Sequence, residues 1–254
     1  MKSPTKMPST VQAVQAQKKQ PEMKQPVMYQ RWEELLFLHW EYDPMELQAR
    51  LPTGLHLDTF EGKAYVGVVP FYMQRIRPRF LPTVPWVSNF LELNVRTYVI
   101  DDSGVPGVWF FSLDCNQPIA VRLARKFFFL PYQDAQMIAK RQDHVVQYAA
   151  KRYGEVHAAS FAYAPNGPLK EANPGSLESF LVDRYWLFAH NTKTGDLYKG
   201  RVWHQPYMVG SALCSEWSHV PLAWNGLEVA GRPPDHIARA EDVAVRVYSV
   251  ERLV

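Results

Sequence analysis

The sequence feature that most constrains the fold is a succession of short apolar segments, each bounded by turn-forming residues. Segments rich in β-branched and aromatic side chains are expected to form strands, and the clearest are Leu35–Trp40, Ala64–Met73, Leu91–Ile100 and Val108–Leu113. The last two are joined by Asp101–Gly104, a turn-forming cluster. Because few and short helices accompany many strands, the pattern predicts an α+β fold whose mostly antiparallel sheet curls into a β-barrel.

Two short helices and one long loop are predicted between the strands. The segment Asp43-Pro44-Met45-Glu46 combines an N-cap, a proline at the first helical position and a capping-box glutamate. Pro118 precedes the amphipathic stretch Ile119–Phe129, which we expect to be helical. The segment 75–86 is rich in arginine and proline and has no periodicity, so it is either a binding-site lid or an inert connection.

The two ends of the chain differ in composition. Residues 1–27 are rich in Gln, Lys and Pro and have few large apolar side chains, which predicts disorder. Residues 28–254 are long enough and apolar enough to form one large domain. The N-terminal stretch has five lysines and one glutamate, so the overall net charge of +3 leaves −1 for the remainder. A domain of that charge lacks the basic footprint of a nucleic-acid partner.

Composition also bears on the cellular setting. No apolar run approaches the roughly 18 residues that span a bilayer, and the N-terminus lacks the apolar core of a secretory signal. The two cysteines, Cys115 and Cys214, give no disulfide framework. We therefore expect a cytoplasmic protein without a membrane partner.

The sequence lacks the common motifs of cofactor and metal chemistry. It contains no glycine-rich phosphate loop, no G-x-S-x-G elbow and no H-E-x-x-H motif. Its eight histidines are scattered, without the spacing of metal ligands. No metal and no cofactor are predicted.

Polar residues inside the predicted strand Leu91–Ile100 are the main candidates for a site. Alternation places Glu92, Asn94 and Arg96 on one face of this strand. On an ordinary half-exposed sheet these side chains would be solvated. Inside a barrel, a carboxylate and a guanidinium must be paired or must serve a ligand.

Three further segments have polar side chains among apolar ones. Arg184 and Tyr185 lie in an aromatic segment, His204 lies at the end of a predicted strand, and His39 lies within the strand Leu35–Trp40. Each is consistent with a structural polar group. Together they are also consistent with an acid/base pair and an anion clamp.

Several motifs, in order, resemble one family. They are Arg31–Trp40, Leu51–Phe60, Glu92–Tyr98, Pro106–Asp114, Ala124–Tyr132, Asp183–Leu187 and His204–Tyr207. These segments look like the YqjF-like proteins, domain-of-unknown-function family 2071, over about residues 29–250. This family is itself similar to acetoacetate decarboxylase, which implies an antiparallel, cone-like barrel with a cavity.

The resemblance also implies which chemistry is missing. Glu92 matches the strand glutamate of the decarboxylases, and Asp114–Pro118 matches their D-N-x-P segment. Where the decarboxylases have Pro-Lys-Lys, this sequence has Pro131, Tyr132 and Gln133. Since neither Tyr132 nor Gln133 can form an imine, the resemblance implies an inherited cavity and no acetoacetate decarboxylase activity.

Three functions remain open from the sequence. In a small-molecule enzyme, Glu92 would be the general acid or base, Arg96 or Arg184 would hold an oxygen, and Tyr132 or His204 would move a proton. In a binding module without chemistry, Asn94, Tyr185 and His39 would join the two arginines around a small organic ligand. In a scaffold, the lysine-rich tail would recruit a partner. A homo-oligomer is left open in each case.

Overall fold

Strands dominate the computed structural model, which describes residues 9–22 and 24–253. The strands are β1 (Met28–Glu33), β2 (Leu35–Tyr42), β3 (Leu55–Leu57), β4 (Ala64–Pro78), β5 (Phe90–Asp101), β6 (Pro106–Cys115), β7 (Tyr132–Gln142), β8 (Val145–Arg152), β9 (Ala159–Pro165), β10 (Lys170–Glu171), β11 (Trp186–Asn191), β12 (Asp196–His204), β13 (Met208–Gly210), β14 (Ala212–Glu216), β15 (His236–Ala240) and β16 (Val243–Arg252). The helices are α1 (Thr10–Gln17), α2 (Pro44–Gln48), α3 (Pro118–Phe127), α4 (Leu177–Val182) and α5 (Val220–Ala223).

Seven strands pair into a closed ring. Going round it, β4 pairs with β5, β5 with β6, β6 with β11, β11 with β12, β12 with β16, β16 with β1, and β1 again with β4. All of these pairings are antiparallel except β6–β11. The ring confirms the predicted mostly antiparallel, curled sheet with few helices.

The sheet continues outside the ring and encloses a second apolar core. Strand β6 also pairs in parallel with β7, from which β8, β9 and β14 follow in antiparallel order. Strands β2 and β15 extend the sheet from the other side of β4. The strands β4 and β5 therefore have one face inside the ring and one face against this second core.

Strand β5 shows this division residue by residue. Leu91, Leu93 and Val95 pack into the second core. The alternate residues face the inside of the ring, and they are Phe90, Glu92, Asn94, Arg96 and Tyr98. The alternation predicted for this strand is thus observed, with both of its faces buried.

The two predicted helices begin as their signals indicate. The Asp43 side chain accepts hydrogen bonds from the backbone N–H groups of Met45 and Glu46 at the start of α2. In α3, Gln117 is the N-cap and Pro118 the first residue. The segment predicted as a loop from residue 75 differs in part, because β4 continues to Pro78 by pairing with β1.

The structure differs from the predicted disordered tail over residues 9–22, where it places helix α1. Ser9 caps this helix, and Val14 is buried. After the helix, the Lys18 ammonium lies 3.1 Å from the Asp183 carboxylate, and the Trp203 indole N–H donates to the Lys18 carbonyl. These long-range contacts offset the low apolar content that predicted disorder; residues 1–8 lie outside the described part of the chain.

Within residues 9–22 and 24–253, none of the helices combines the length and the apolar character needed to cross a bilayer.

Candidate functional site

The inside of the strand ring is hollow. The cavity has a volume of about 420 Å³ and is bounded by the ring, by helix α3 and by the segment 81–88. Most of its lining is apolar, with side chains such as Val69, Phe71, Phe110 and Leu113. A cavity of this size and character is typical of a site for a small organic molecule.

Five of the eight predicted site residues line this cavity. Glu92, Asn94 and Arg96 come from β5, Tyr132 from the start of β7, and Arg184 from the segment between α4 and β11. Alternation along β5 explains the first three, since residues two apart share a face. The parallel pairing of Leu113 with Tyr132 brings the start of β7 to the same wall.

Glu92 and Tyr132 form a hydrogen-bonded pair. The Tyr132 hydroxyl donates to Glu92 Oε2 over 2.7 Å, and the Glu92 side chain is buried, with 3% exposed. Burial raises the pKa of Glu92 to about 7, although hydrogen bonds from Tyr132 and Asn94 act in the opposite direction. Burial also raises the pKa of Tyr132 well above its ordinary value. Near neutral pH, Glu92 is therefore poised between its two protonation states while Tyr132 stays protonated.

Arg96 is a buried cation without a carboxylate partner. Its side chain is 8% exposed, and in the described part of the chain no Asp or Glu oxygen lies within 4.0 Å of its guanidinium. One terminal nitrogen donates to the Leu181 carbonyl over 3.1 Å, and the Phe37 ring lies 5.3 Å away. The Arg96 Nε and the Asn94 Oδ1 have no hydrogen-bond partner among the described residues. A direct pairing of Glu92 with Arg96, one alternative from the sequence, is therefore not observed.

Arg184 differs from Arg96 because its charge is compensated. Its guanidinium lies 2.9 Å from the Asp58 carboxylate, and its Nε donates to the Phe180 carbonyl over 2.9 Å. Burial lowers the pKa of Arg184, and the proximity of Arg96 adds to this effect. Of the two guanidiniums in the wall, Arg96 is the one without a carboxylate partner, although the terminal nitrogens of Arg184 also make no hydrogen bond among the described residues.

The remaining three predicted site residues are buried outside the cavity lining. His204 stacks on Tyr185 and lies against Tyr207, with ring centroids 4.9 and 4.2 Å apart, and burial lowers the pKa of His204 to about 4. His39 Nε2 lies 2.7 Å from the Tyr98 hydroxyl, and burial lowers the pKa of His39. These neutral rings pack between aromatic neighbours, which is the role of a structural polar group.

Strand β1 supplies lining residues that the sequence analysis did not predict. Met28, Gln30 and Trp32 line the cavity from alternate positions of this strand. The Trp32 indole N–H donates to Gln30 Oε1 over 2.9 Å. Their period of two was a signal available in the sequence, but nothing local indicated that β1 closes the ring.

Thiol, metal-ligand and lysine side chains also bear on the chemistry of the cavity. Cys115 is buried, and burial raises the pKa of its thiol. Across residues 9–22 and 24–253, no cluster of three or more His, Cys, Asp or Glu side chains is arranged to hold a metal ion. No lysine is among the described residues that line the cavity, and Tyr132 occupies the position after Pro131.

Comparison with known proteins assigns the chain to a family. The model of domain-of-unknown-function family 2071, described as an uncharacterized conserved protein, matches residues 29–244. The chain belongs to this family. It is 36% identical over 219 residues to the uncharacterized protein YqjF of Bacillus subtilis, which covers 85% of this chain and 89% of that protein. The resemblance inferred from the sequence motifs is confirmed.

Solved structures confirm the fold of this family member. Acetoacetate decarboxylase from Legionella pneumophila matches with a TM-score of 0.65 and 14% identity, over 99% of this chain and 98% of that one. The enduracididine biosynthesis enzyme MppR, complexed with pyruvate, matches with a TM-score of 0.63 and 13% identity, over 91% and 92% of the two chains. At such low identity the likeness establishes the acetoacetate-decarboxylase-like fold alone.

Proposed function

We propose that this family member binds a small organic acid with an apolar body inside its ring cavity, and that it does so without a Schiff-base lysine. One observation carries the proposal: the Arg96 guanidinium is buried in the cavity wall and has no carboxylate partner among the described residues. The acid group of a ligand would provide that partner.

The energetics favour an anionic ligand. A buried charge without a partner loses hydration and gains little in return, so it is destabilising until an opposite charge compensates it. A carboxylate can accept two parallel N–H bonds from a guanidinium, which fixes its orientation as well as its charge. The unpartnered Nε of Arg96 is one donor for such a contact, and the nearby Asn94 Oδ1 can accept from a hydroxyl or acid proton of the ligand.

The rest of the cavity favours an apolar body. Side chains such as Val69, Phe71 and Leu113 surround the polar row on β5, and a ligand buried among them gains from the removal of apolar surface from water. The MppR structure was solved with pyruvate, a small keto acid, in a protein of the same fold. That likeness supports an organic acid as the ligand class. The apolar body of the ligand would be determined by the lining of this cavity.

The absence of an imine-forming group in the wall supports a mechanism other than that of a decarboxylase. The described lining has no lysine, and the Tyr132 hydroxyl that follows Pro131 is engaged with Glu92. A keto acid bound at Arg96 would therefore remain noncovalent. Reduction with borohydride in the presence of a keto acid should leave the mass of the protein unchanged, whereas a covalent adduct would contradict this part of the proposal.

A thermal-shift screen tests the binding proposal. Organic acids with aliphatic or aromatic bodies should raise the melting temperature in a concentration-dependent way, because a ligand that binds only the folded state stabilises it. Val69→Phe, which places a ring beside Asn94 in the cavity, should abolish the shift. Its melting curve without ligand is the control for folding. A screen in which no acid shifts the wild-type protein would refute the proposal.

A second candidate function is proton transfer at a carbon next to a carbonyl group. It is favoured by Glu92, whose pKa of about 7 suits a general acid/base at neutral pH. The Glu92 carboxylate would take a proton from the α-carbon of a keto acid, and the Arg96 guanidinium would stabilise the resulting enolate oxygen. Return of the proton from Glu92 would complete an exchange in which nothing is oxidised or reduced.

Proton NMR in D₂O distinguishes this candidate from binding alone. With pyruvate as the probe, the wild-type protein should speed the loss of the methyl signal, and Glu92→Gln should slow that loss by about a hundredfold. Binding of pyruvate without any exchange above the rate in buffer would leave the binding function and exclude this chemistry.

A further inference from the structure

Exposed apolar side chains are concentrated around the mouth of the cavity. We call this surface the cavity rim and define it as the segment 79–88 together with helix α3. Large hydrophobic side chains that are exposed on the rim are Phe80, Leu81, Val84, Trp86, Ile119, Leu123 and Phe127. Phe80 is 85% and Trp86 69% exposed, which is unusual for aromatic side chains that water alone surrounds.

The cavity rim is continuous with the cavity. Leu81, Val84 and Leu123 line the cavity as well as being exposed. The two parts of the rim are also tied to each other, because the Gln117 side-chain amide at the start of α3 donates to the Trp86 carbonyl over 2.9 Å. A body that covers the rim would therefore cover the entrance for an apolar ligand.

The rim and its flank are strongly basic. The segments 75–88 and 117–129 together have no Asp or Glu, and they contain Arg75, Arg77, Arg79, Arg122, Arg125 and Lys126. Only Arg125 has a carboxylate of the described chain within 4.0 Å, that of Asp134 at the limit of this distance. The positive charge is thus largely uncompensated, although residues 28–254 as a whole are slightly acidic.

We propose that the cavity rim binds the surface of an anionic lipid bilayer. Aromatic and aliphatic side chains would enter the interfacial region while the surrounding arginines and Lys126 contact lipid phosphates. A second copy of this chain fits less well, since a symmetric contact through the rim would place the two sets of basic side chains against each other. The proposal departs from the sequence prediction of no membrane partner, which considered spanning segments and signal sequences.

Vesicle flotation with the full chain tests this proposal. Vesicles made of equal parts of phosphatidylcholine and phosphatidylglycerol should float the protein at low salt, and vesicles of phosphatidylcholine alone should not. Raising the salt to about 0.5 M should reduce binding, because screening weakens the electrostatic attraction. The double variant Arg122→Glu, Lys126→Glu should lower the fraction bound at least about tenfold.

Matched variants separate the rim from other surfaces. Phe80→Ala with Trp86→Ala should lower binding, whereas Met45→Ala, which removes an equally exposed apolar side chain elsewhere, should not. Lys140→Glu reverses an exposed charge away from the rim and should leave binding unchanged. Substituting glutamine for Lys2 and Lys6 tests the lysine-rich N-terminal stretch.

Three outcomes would overturn the proposal. One is failure to float with anionic vesicles. The second is binding that the lysine-to-glutamine variant loses and the rim variants retain, which would assign it to the N-terminal stretch. The third is sedimentation equilibrium showing a dimer that Phe80→Ala and Trp86→Ala dissociate, which would assign the rim to a second copy.

Discussion

Two buried arginines, Arg96 and Arg152, lie on opposite faces of the sheet formed by β5 and β6. Their hydrogen-bonding surroundings differ. On the side of the second core, Arg152 donates to both oxygens of Asp114, at 2.6 and 2.8 Å, and also to Ser112 and the Trp224 carbonyl. On the cavity side, Arg96 donates to the Leu181 carbonyl and has a guanidinium nitrogen without a partner. The same residue type thus serves a complete network in one region and an incomplete one in the other.

This contrast separates structural polar groups from functional ones. A buried charge whose hydrogen bonds are all made within the chain is explained by the fold, and removing its partner leaves an orphan. A buried charge that lacks a carboxylate partner and has a spare donor in a cavity wall is, in our proposal, compensated by a ligand. The following predictions test this distinction.

The largest expected effect is at the complete network. Asp114→Ala should lower the free energy of unfolding by about 3–5 kcal/mol, because Arg152 would remain buried without its carboxylate. Urea unfolding measures this change. Arg96→Met is the matched comparison and should change stability by less than about 1 kcal/mol, or even increase it. Equal decreases in the free energy of unfolding for the two variants would show that Arg96 is as much a structural group as Arg152.

The titration of Glu92 should change the free energy of unfolding somewhat less than the loss of Asp114. Its folded-state pKa of about 7 lies above the ordinary value of 4.5. Between these two pH values the native carboxyl holds a proton that the unfolded chain has lost, so this group makes stability fall as pH rises. In the wild type, Glu92 should lower the free energy of unfolding by roughly 3 kcal/mol as the pH rises from 4.5 to 7. Glu92→Gln should remove this decrease.

The comparison of the two proteins across pH isolates this effect. His39 and His204, whose pKa values are lowered by burial, contribute with the opposite sign, but they are present in both proteins. The variant should therefore gain stability relative to the wild type as pH rises, and the two should agree below pH 4.5. If the stability of the two proteins changed in parallel with pH, Glu92 would have an ordinary pKa.

The smallest expected effect is at the hydrogen bond between Tyr132 and Glu92. Tyr132→Phe removes a donor that favours the charged carboxylate, so the pKa of Glu92 should rise further above 7. The free energy of unfolding should fall by about 1 kcal/mol. Carbon NMR of labelled glutamate side chains measures the titration, and a lowered pKa would contradict the assigned geometry.

Local patterns in the sequence predicted part of this arrangement. The alternation on β5 placed Glu92, Asn94 and Arg96 on one face, and the family motifs indicated that this face lies inside a barrel. Tyr132 followed from the resemblance to the decarboxylases, in which a lysine stands at the position after Pro131. Pairing between distant segments could not be predicted in the same way, because the contact of Asp58 with Arg184 and the closure of the ring by β1 leave no local signal.

The predicted site residues that do not line the cavity also show that local sequence does not reveal long-range packing. His204, Tyr185 and His39 have the composition of a site, but their rings are packed and buried inside the wall, and His39 and His204 make hydrogen bonds within the chain. Helix α1 was missed for the opposite reason. Its own sequence is weakly apolar, and its position depends on contacts of Lys18 with Asp183 and Trp203, which only the folded sheet brings together.

Isothermal titration calorimetry is the sharpest test of whether Arg96 binds the acid group of a ligand, once a binding acid is known. The acid and its neutral primary amide would be titrated into the wild-type protein and into Arg96→Met. We expect the wild type to prefer the acid by about thirtyfold, corresponding to about 2 kcal/mol, and the variant to show no preference. An equal preference for the acid in both proteins would contradict the assignment of Arg96 as the group that receives the ligand.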